Sequence, residues 1–166
     1  LMFYRIVICF IAITLSYTTF SNAVVYDDPY SSSSYGGTGL IVNPTARFSK
    51  DGELIFGYST ENPYHRIYSK MQFFPWMEAV LKYTEATHKP YSSGNPQTSR
   101  DKGFDLKFKI LNETENLPDL AIGFIDFGGT GSYRSEYIVA NKQFNNLDFS
   151  LGLGWGHLSS GELQVN

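Results

Sequence analysis

The sequence predicts an all-β protein built from antiparallel, up-and-down strands. Short stretches between about residues 53 and 156 alternate strictly between apolar and polar residues. In an extended strand this alternation places the two kinds of side chain on opposite faces. Aromatic residues, which favour strands, make up 16% of the chain. Beyond the amino-terminal region no stretch has convincing helical periodicity, so the alternation decides the fold class.

Two stretches show the alternation most clearly, at residues 104–110 and 147–155. The first stretch presents one apolar face, formed by Phe104, Leu106, Phe108 and Ile110. Its opposite face is polar, with Asp105, Lys107 and Lys109. The second stretch has an apolar face of leucine, phenylalanine and tryptophan, backed by aspartate, serine and glycine. Strands are predicted near residues 53–60, 66–73, 77–85, 103–111, 120–126, 135–142 and 147–156.

Residues 1–23 are predicted to be a secretory signal peptide. Arg5 precedes about ten uncharged, mostly apolar residues, and small residues lead up to Ala23. The alternative is a membrane anchor, but a spanning helix needs roughly 20 apolar residues. Cys9, the only cysteine, lies in the apolar core, so cleavage after Ala23 leaves no disulfide or cysteine metal site. Residues 24–35, with four consecutive serines, are predicted to be a flexible leader.

The alternation alone leaves two architectures open. One is a soluble β-sandwich with a dry core, and the other is a transmembrane β-barrel with lipid outside and a polar lumen. The predicted connection at residues 86–102 is the longest, as expected of an external loop of an outer-membrane barrel. In such a barrel a wet lumen would tolerate Lys107→Leu. The lumen-facing candidates are Arg66, Tyr68, Lys70, Gln72, Asp105, Lys107 and Lys109.

No pattern in the sequence points to catalysis, a cofactor or a metal. The chain has 13 Lys and Arg against 16 Asp and Glu, a net charge of −3, which gives no reason to expect nucleic acid as a partner. The three histidines are scattered without metal-ligand spacing. Asp126, Arg134 and Glu136 lie near one turn and could form a charge network, more typical of a structural salt bridge than of catalysis. We therefore expect a non-enzymatic protein.

Several ordered motifs resemble a known family. They include residues 39–47 with Pro44-Thr45-Ala46-Arg47, residues 73–79 (Phe-Phe-Pro-Trp-Met-Glu-Ala), Gly128-Gly129-Thr130-Gly131 after Asp126, Val139-Ala140-Asn141-Lys142, and residues 151–156. Over residues 36–158 the chain is similar to the amino-terminal part of the YjbH family of exopolysaccharide biosynthesis proteins. The resemblance implies part of an outer-membrane β-barrel of a Gram-negative bacterium that participates in exopolysaccharide or capsule biosynthesis or export. The implied partners are outer-membrane lipid, extracellular polysaccharide and other secretion proteins. The alternative is a secreted, soluble β-sandwich that binds carbohydrate.

The chain departs from the family pattern in two ways. Many members are lipoproteins, whereas the predicted signal peptide has no matching lipidation cysteine, and members are several times longer. Seven strands that start in the periplasm also leave an open sheet edge, whose unpaired backbone groups cost several kcal/mol each in lipid. The sequence is therefore interpreted as an incomplete chain, with residues 159–166 as its truncated end.

Overall fold

The computed structural model describes residues 30–159. The predicted signal peptide, residues 24–29 of the predicted leader and nearly all of the predicted truncated end lie outside the described residues. No helix in the described part of the chain is long and apolar enough to span a membrane. The elements are β1 Gly39–Leu40, β2 Asn43–Pro44, β3 Leu54–Glu61, β4 Tyr64–Phe74, β5 Met77–Pro90, β6 Thr98–Leu111, β7 Asp119–Ile125, β8 Ser135–Phe144, β9 Leu147–Gly156 and a 3-10 helix at His157–Ser159.

Strands β3 to β9 form one seven-stranded sheet in which each strand pairs with the next along the chain. Every pairing is antiparallel, so the prediction of an all-β, up-and-down fold is confirmed. The sheet curls into a half-barrel. Tyr64 at the start of β4 and Tyr133 in the loop before β8 have ring centroids only 6.0 Å apart, although their strands are not neighbours. The curl gives the sheet a concave and a convex face.

Apolar side chains lie on the convex face and are exposed. Phe56 is 76% exposed, Leu81 61% and Leu151 80%. Charged and amide side chains lie on the concave face, where Lys70, Gln72 and Glu78 are almost completely buried. The polarity of the sheet is therefore the reverse of that in a soluble sandwich, whose apolar face is the buried one.

The two ends of the sheet differ in character. We call the end with residues 62–63, 91–97 and 126–134 the loop end, and the end with residues 75–76, 112–118 and 145–146 the turn end. Near the loop end the convex face becomes polar, because His65, Glu85 and Arg100 lie side by side in register. At the turn end Phe74 stacks on Trp76 with centroids 5.3 Å apart.

The connection predicted at residues 86–102 is mostly strand, which corrects the sequence-based loop assignment. Strand β5 extends to Pro90 and β6 starts at Thr98, so the loop is confined to residues 91–97. Beyond Ala86 both faces of this hairpin carry polar residues, and the apolar alternation that marks a strand is lost. The difference in loop length between the two ends is therefore smaller than the sequence predicted.

Residues 30–50, which we call the inner segment, cover the concave face. Ala46 and Phe48 are buried in one hydrophobic cluster with Ala121, Tyr137 and Val139. Within the inner segment β1 and β2 form a small antiparallel hairpin, in which Gly39 pairs with Pro44.

Residues 30–35 belong to this segment rather than to a flexible leader. The Ser34 amide donates a hydrogen bond to the Ile41 carbonyl (2.6 Å), and the Ser59 hydroxyl donates one to the Ser34 carbonyl (2.6 Å). Ser33 is buried. These bonds tie residues 30–35 both to the β1–β2 hairpin and to strand β3.

Candidate functional site

The candidate site is the polar interface between the inner segment and the concave face. Alternation along β4, β5 and β6 turns every second side chain inward, and the inner segment then removes these side chains from solvent. Five of the predicted lumen-facing residues are buried there, whereas Tyr68 and Lys109 are half-buried. The five are Arg66, Lys70, Gln72, Asp105 and Lys107.

A buried ion pair holds the middle of the inner segment. Lys107 Nζ lies 3.1 Å from Glu78 Oε1 and also donates hydrogen bonds to the carbonyls of Arg47 (2.8 Å) and Thr38 (3.3 Å). Glu78 accepts a bond from the Thr38 amide (3.0 Å) and another from its hydroxyl. Lys70 Nζ donates to the same hydroxyl oxygen at 2.9 Å. Each of these buried charged groups therefore has ionic or hydrogen-bonding partners, which a buried charge needs to offset its loss of hydration.

Arg47 holds the inner segment at the turn end. Its Nη1 lies 2.6 Å from Asp119 Oδ2 and 2.7 Å from Glu113 Oε2, and its Nη2 lies 2.7 Å from Asp148 Oδ1. One guanidinium thus joins the inner segment to β7, to β9 and to the loop between β6 and β7. Such forked, charge-assisted bonds are among the strongest that side chains make.

The contacts within this cluster shift the pKa values of Arg47 and Glu113. Burial by itself raises the pKa of Glu113, but hydrogen bonds from the Gln143 amide, from Arg47 and from Lys142 outweigh it and hold the pKa below its usual value. Burial likewise opposes the charge of Arg47, and the bonds to Asp148 and Glu113 leave its pKa raised. Arg47 and Glu113 are therefore both stabilised in their ionised forms.

Asp126 lies in a second buried charge group near the loop end. Its amide donates a hydrogen bond to Asp105 Oδ1 (2.8 Å), and Lys82 Nζ lies 2.6 Å from Asp105 Oδ2. The predicted charge network required Asp126, Arg134 and Glu136 to lie in contact. The structure does not bring the three together. Among the described residues no ion pair joins these three, and Glu136 is exposed on the convex face, where it pairs in register with Trp155.

The other predicted candidates also contact protein atoms. The Tyr68 ring lies against Gly57, its cross-strand partner, so closely that a Cβ on that glycine would be 2.2 Å from the ring. The Lys109 ammonium lies 4.9 Å from the centre of the Phe48 ring, and Gln72 Nε2 donates to the Phe74 carbonyl at 2.6 Å. These side chains therefore line a filled interior rather than a wet one.

This filling changes the expectation for Lys107→Leu. Tolerance of that substitution assumed that the lysine lies in a wet lumen, whereas Lys107 is only 3% exposed and is bonded to Glu78 and to the inner segment. A cavity of about 30 Å³ remains beside it, lined by Tyr35, Thr38 and Tyr137 among others. A cavity of this size has room for about one water molecule, not for a sugar ring.

Aromatic rings gather where the concave face opens at the loop end. We call Tyr64, His88, Tyr133 and His157 the rim cluster. Tyr64 meets His88 edge to face at 5.6 Å and Tyr133 at 6.0 Å, and Tyr133 meets His157 at 5.2 Å. Burial raises the pKa of Tyr133 to about 12, with smaller contributions from Tyr64 and Asp101. This cluster was not predicted from the sequence, because its members lie on separate strands and loops.

In the described part of the chain, no group of three or more His, Cys, Asp or Glu residues is placed to hold a metal ion. The structure thus defines a curled, antiparallel sheet with a charged interior, an apolar exterior and an inner segment fixed by ion pairs.

Comparison with known proteins places the chain in a family. The family described as exopolysaccharide biosynthesis protein, YjbH, matches residues 31–166. The chain is also 43% identical over 134 residues to the uncharacterized lipoprotein YjbH of Escherichia coli (strain K12), an alignment that covers 78% of this chain and 19% of that protein. The chain therefore belongs to the YjbH family, as the sequence motifs indicated, and spans about a fifth of the length of that relative. No solved structure matches the chain significantly.

Proposed function

We propose that this chain forms part of an outer-membrane β-barrel of a Gram-negative bacterium and participates, without catalysing a reaction, in exopolysaccharide or capsule biosynthesis or export. One observation carries the membrane part of the proposal, namely the reversed polarity of the sheet. Leu151 is 80% exposed on the convex face, whereas Lys107 is 3% exposed on the concave face. Lipid outside and polar groups inside are the environments that a transmembrane barrel provides.

The extent of the apolar surface supports lipid contact over the soluble alternative. Soluble monomers seldom expose contiguous apolar patches larger than a few hundred Å². Here strands from one edge of the sheet to the other present large apolar side chains outward, among them Phe56 on β3, Leu81 on β5 and Leu153 on β9. A soluble β-sandwich would need a second layer over this face, and the described residues supply none on that side.

The height of the apolar band also fits a bilayer. Along β4 the outward face carries Ile67, Met71 and Phe73, interrupted only by Ser69, and this stretch at ~3.3 Å per residue is roughly 20 Å long. Outer-membrane barrels have an apolar band of ~25 Å bounded by aromatic residues. Trp76 lies at the turn end, Tyr58 and Tyr83 lie toward the loop end, and polar side chains such as His65 lie beyond the tyrosines.

The polysaccharide part of the proposal rests on the family, whose description is exopolysaccharide biosynthesis protein. The E. coli relative is named a lipoprotein, which supports a location in the cell envelope. Because the inner segment fills the concave face, we propose that this part of the protein holds the glycan at its surface or assembles with other secretion proteins. An open conduit through residues 30–159 does not fit the filled interior.

Fractionation of cells that produce the full-length protein tests this proposal. We expect the protein in the outer-membrane fraction, extracted only by detergent, with a mobility in gel electrophoresis that shifts when the sample is boiled. Deleting the gene should reduce secreted exopolysaccharide. A protein found in the soluble periplasm with no heat-dependent mobility would support the soluble carbohydrate-binding alternative instead.

A further inference from the structure

We infer that the rim cluster is a contact site for hexopyranose rings of an uncharged stretch of glycan. This inference rests on the proposed function and adds a ligand class and a place on the molecule. Tyr64, His88, Tyr133 and His157 come from β4, β5, the loop before β8 and the 3-10 helix. The fold therefore assembles four rings that are distant in the sequence at one edge of the concave face.

The rings of the rim cluster lie directly above the filled interior. Directly beneath them Arg66 lies with its guanidinium 4.9 Å from the centre of Tyr64 and 4.6 Å from the centre of Tyr35, which belongs to the inner segment. Arg66 is itself 2% exposed. A glycan that approaches the loop end therefore meets the rim cluster and cannot pass between the inner segment and the sheet.

The chemistry of the cluster suits a sugar ring. The faces of aromatic rings carry partial negative charge, and the axial C–H bonds of a pyranose carry partial positive charge, so the two stack. The Tyr hydroxyls and the ring nitrogens of His88 can exchange hydrogen bonds with sugar hydroxyls. His88 is exposed, and Tyr64, Tyr133 and His157 are half-buried, so the rings are fixed on one side and accessible on the other.

A buried carboxylate beside the cluster points to a further polar contact. Asp101 is 7% exposed, its Oδ1 accepts a hydrogen bond from the Thr130 hydroxyl, and its Oδ2 has no hydrogen-bond partner among the described residues. Asp101 is close enough to Tyr133 to influence its pKa. An unsatisfied buried oxygen is unusual in a folded protein, and it leaves Asp101 with a carboxylate oxygen that can accept a bond from a ligand hydroxyl.

The charges at the rim favour an uncharged sugar over a uronic acid. The buried cations beneath the rim already have anionic partners, since Arg66 Nη1 lies 3.2 Å from Glu61 and Lys82 Nζ lies 2.6 Å from Asp105. Asp101 adds negative charge. A polyanionic glycan would therefore gain no unpaired cation from the buried groups beneath the rim, and Asp101 would repel it.

The test is binding of oligosaccharides to the full-length protein purified in detergent. The probes are oligosaccharides released by partial acid hydrolysis of the exopolysaccharide that the producing bacterium secretes, separated into neutral and acidic pools. We expect the neutral pool to bind, with saturation transfer in NMR between tyrosine or histidine ring protons and sugar protons. Tyr133→Leu, which keeps apolar bulk but removes the ring, should weaken binding about tenfold, the size of a lost aromatic contact.

Two matched variants complete the test. Tyr133→Phe keeps the ring and should bind within about threefold of the parent protein, and Tyr91→Leu, which removes an exposed tyrosine of loop 91–97 at the same end, should bind as the parent does. If Tyr133→Leu fails to fold, His88→Ala serves instead, because His88 is exposed. Absence of binding by the parent protein, preference for the acidic pool, or equal binding by Tyr133→Leu would overturn the inference. The heat-dependent gel mobility of the same preparations reports separately on the membrane proposal.

Discussion

Lys107 Nζ lies 3.1 Å from Glu78 Oε1 in the space between the sheet and the inner segment, and both residues are at least 97% buried. The two side chains come from adjacent strands, β6 and β5. Both also bond to Thr38 of the inner segment. One ion pair therefore joins the sheet to the segment that fills it.

We predict that Lys107→Met lowers the free energy of unfolding by about 3–5 kcal/mol, because removing one partner of a buried pair leaves the other charge uncompensated. Urea titration of the detergent-solubilised protein measures this change. Lys102→Met is the control, since Lys102 is exposed on the same strand, and it should change the free energy by less than about 0.5 kcal/mol. Equal unfolding midpoints for the two variants would show that the pair does not anchor the inner segment.

The Arg47 cluster predicts a loss of stability in acid. The pKa of Glu113 is below its ordinary value of 4.5 in the folded protein, so the folded state favours the ionised carboxylate. This contribution is fully present above about pH 4.5 and is lost as the pH falls through the lower, folded pKa. Thermal unfolding between pH 7 and pH 3 measures it. Glu113→Gln should be less stable at pH 7 and show a shallower decline below pH 4.5; a decline as steep as in the parent protein would contradict the assignment.

Gly123 gives a test of packing inside the curled sheet. Its cross-strand partner is Tyr137, and a Cβ on Gly123 would lie 2.1 Å from Cζ of that ring. Tyr137 is 9% exposed and belongs to the hydrophobic cluster, so it has little room to move. Gly123→Ala should cost about 1–3 kcal/mol, as overpacked sites do. Gly128→Ala, whose nearest contact would be an ordinary 3.6 Å to Phe104, is the control and should unfold at nearly the parent's urea midpoint.

The sheet was predictable from the sequence because its signal is local. Phe104 to Ile110 alternate perfectly, and the structure places Asp105, Lys107 and Lys109 together on the concave face. Strand ends were less predictable, since the hairpin at residues 86–102 carries polar residues on both faces and lacks the alternation.

The packing of the inner segment against the concave face could not be predicted from a local sequence pattern. Thr38 bonds to Glu78, 40 residues away, and Arg47 to Asp148, 101 residues away. The inner segment has no periodic pattern, and its contacts to Lys107 use backbone carbonyls, which every residue has. One available signal was the near balance of acidic and basic side chains on the inward faces, which is typical of buried, paired charges.

A substitution at Leu151 can distinguish a lipid-facing convex surface from a solvent-facing one. This leucine is 80% exposed on β9, so Leu151→Arg should be nearly neutral in a soluble protein, within about 0.5 kcal/mol. On the lipid face of a barrel the same change costs ~2–4 kcal/mol near the midplane. We predict reduced assembly in the outer membrane, measured as the heat-modifiable fraction of the full-length protein. Ser92→Arg, in the exposed loop 91–97, should assemble normally.

Cysteine labelling in intact outer membranes measures whether the convex face contacts lipid. Single cysteines replace Leu81, 61% exposed on the convex face of β5, and Ser92 in the loop, with Cys9 changed to serine. We predict that a membrane-soluble maleimide labels position 81, that a membrane-impermeant one does not, and that the impermeant reagent does label position 92. Labelling of position 81 by the impermeant reagent to the same extent as position 92 would show that the convex face contacts water rather than lipid.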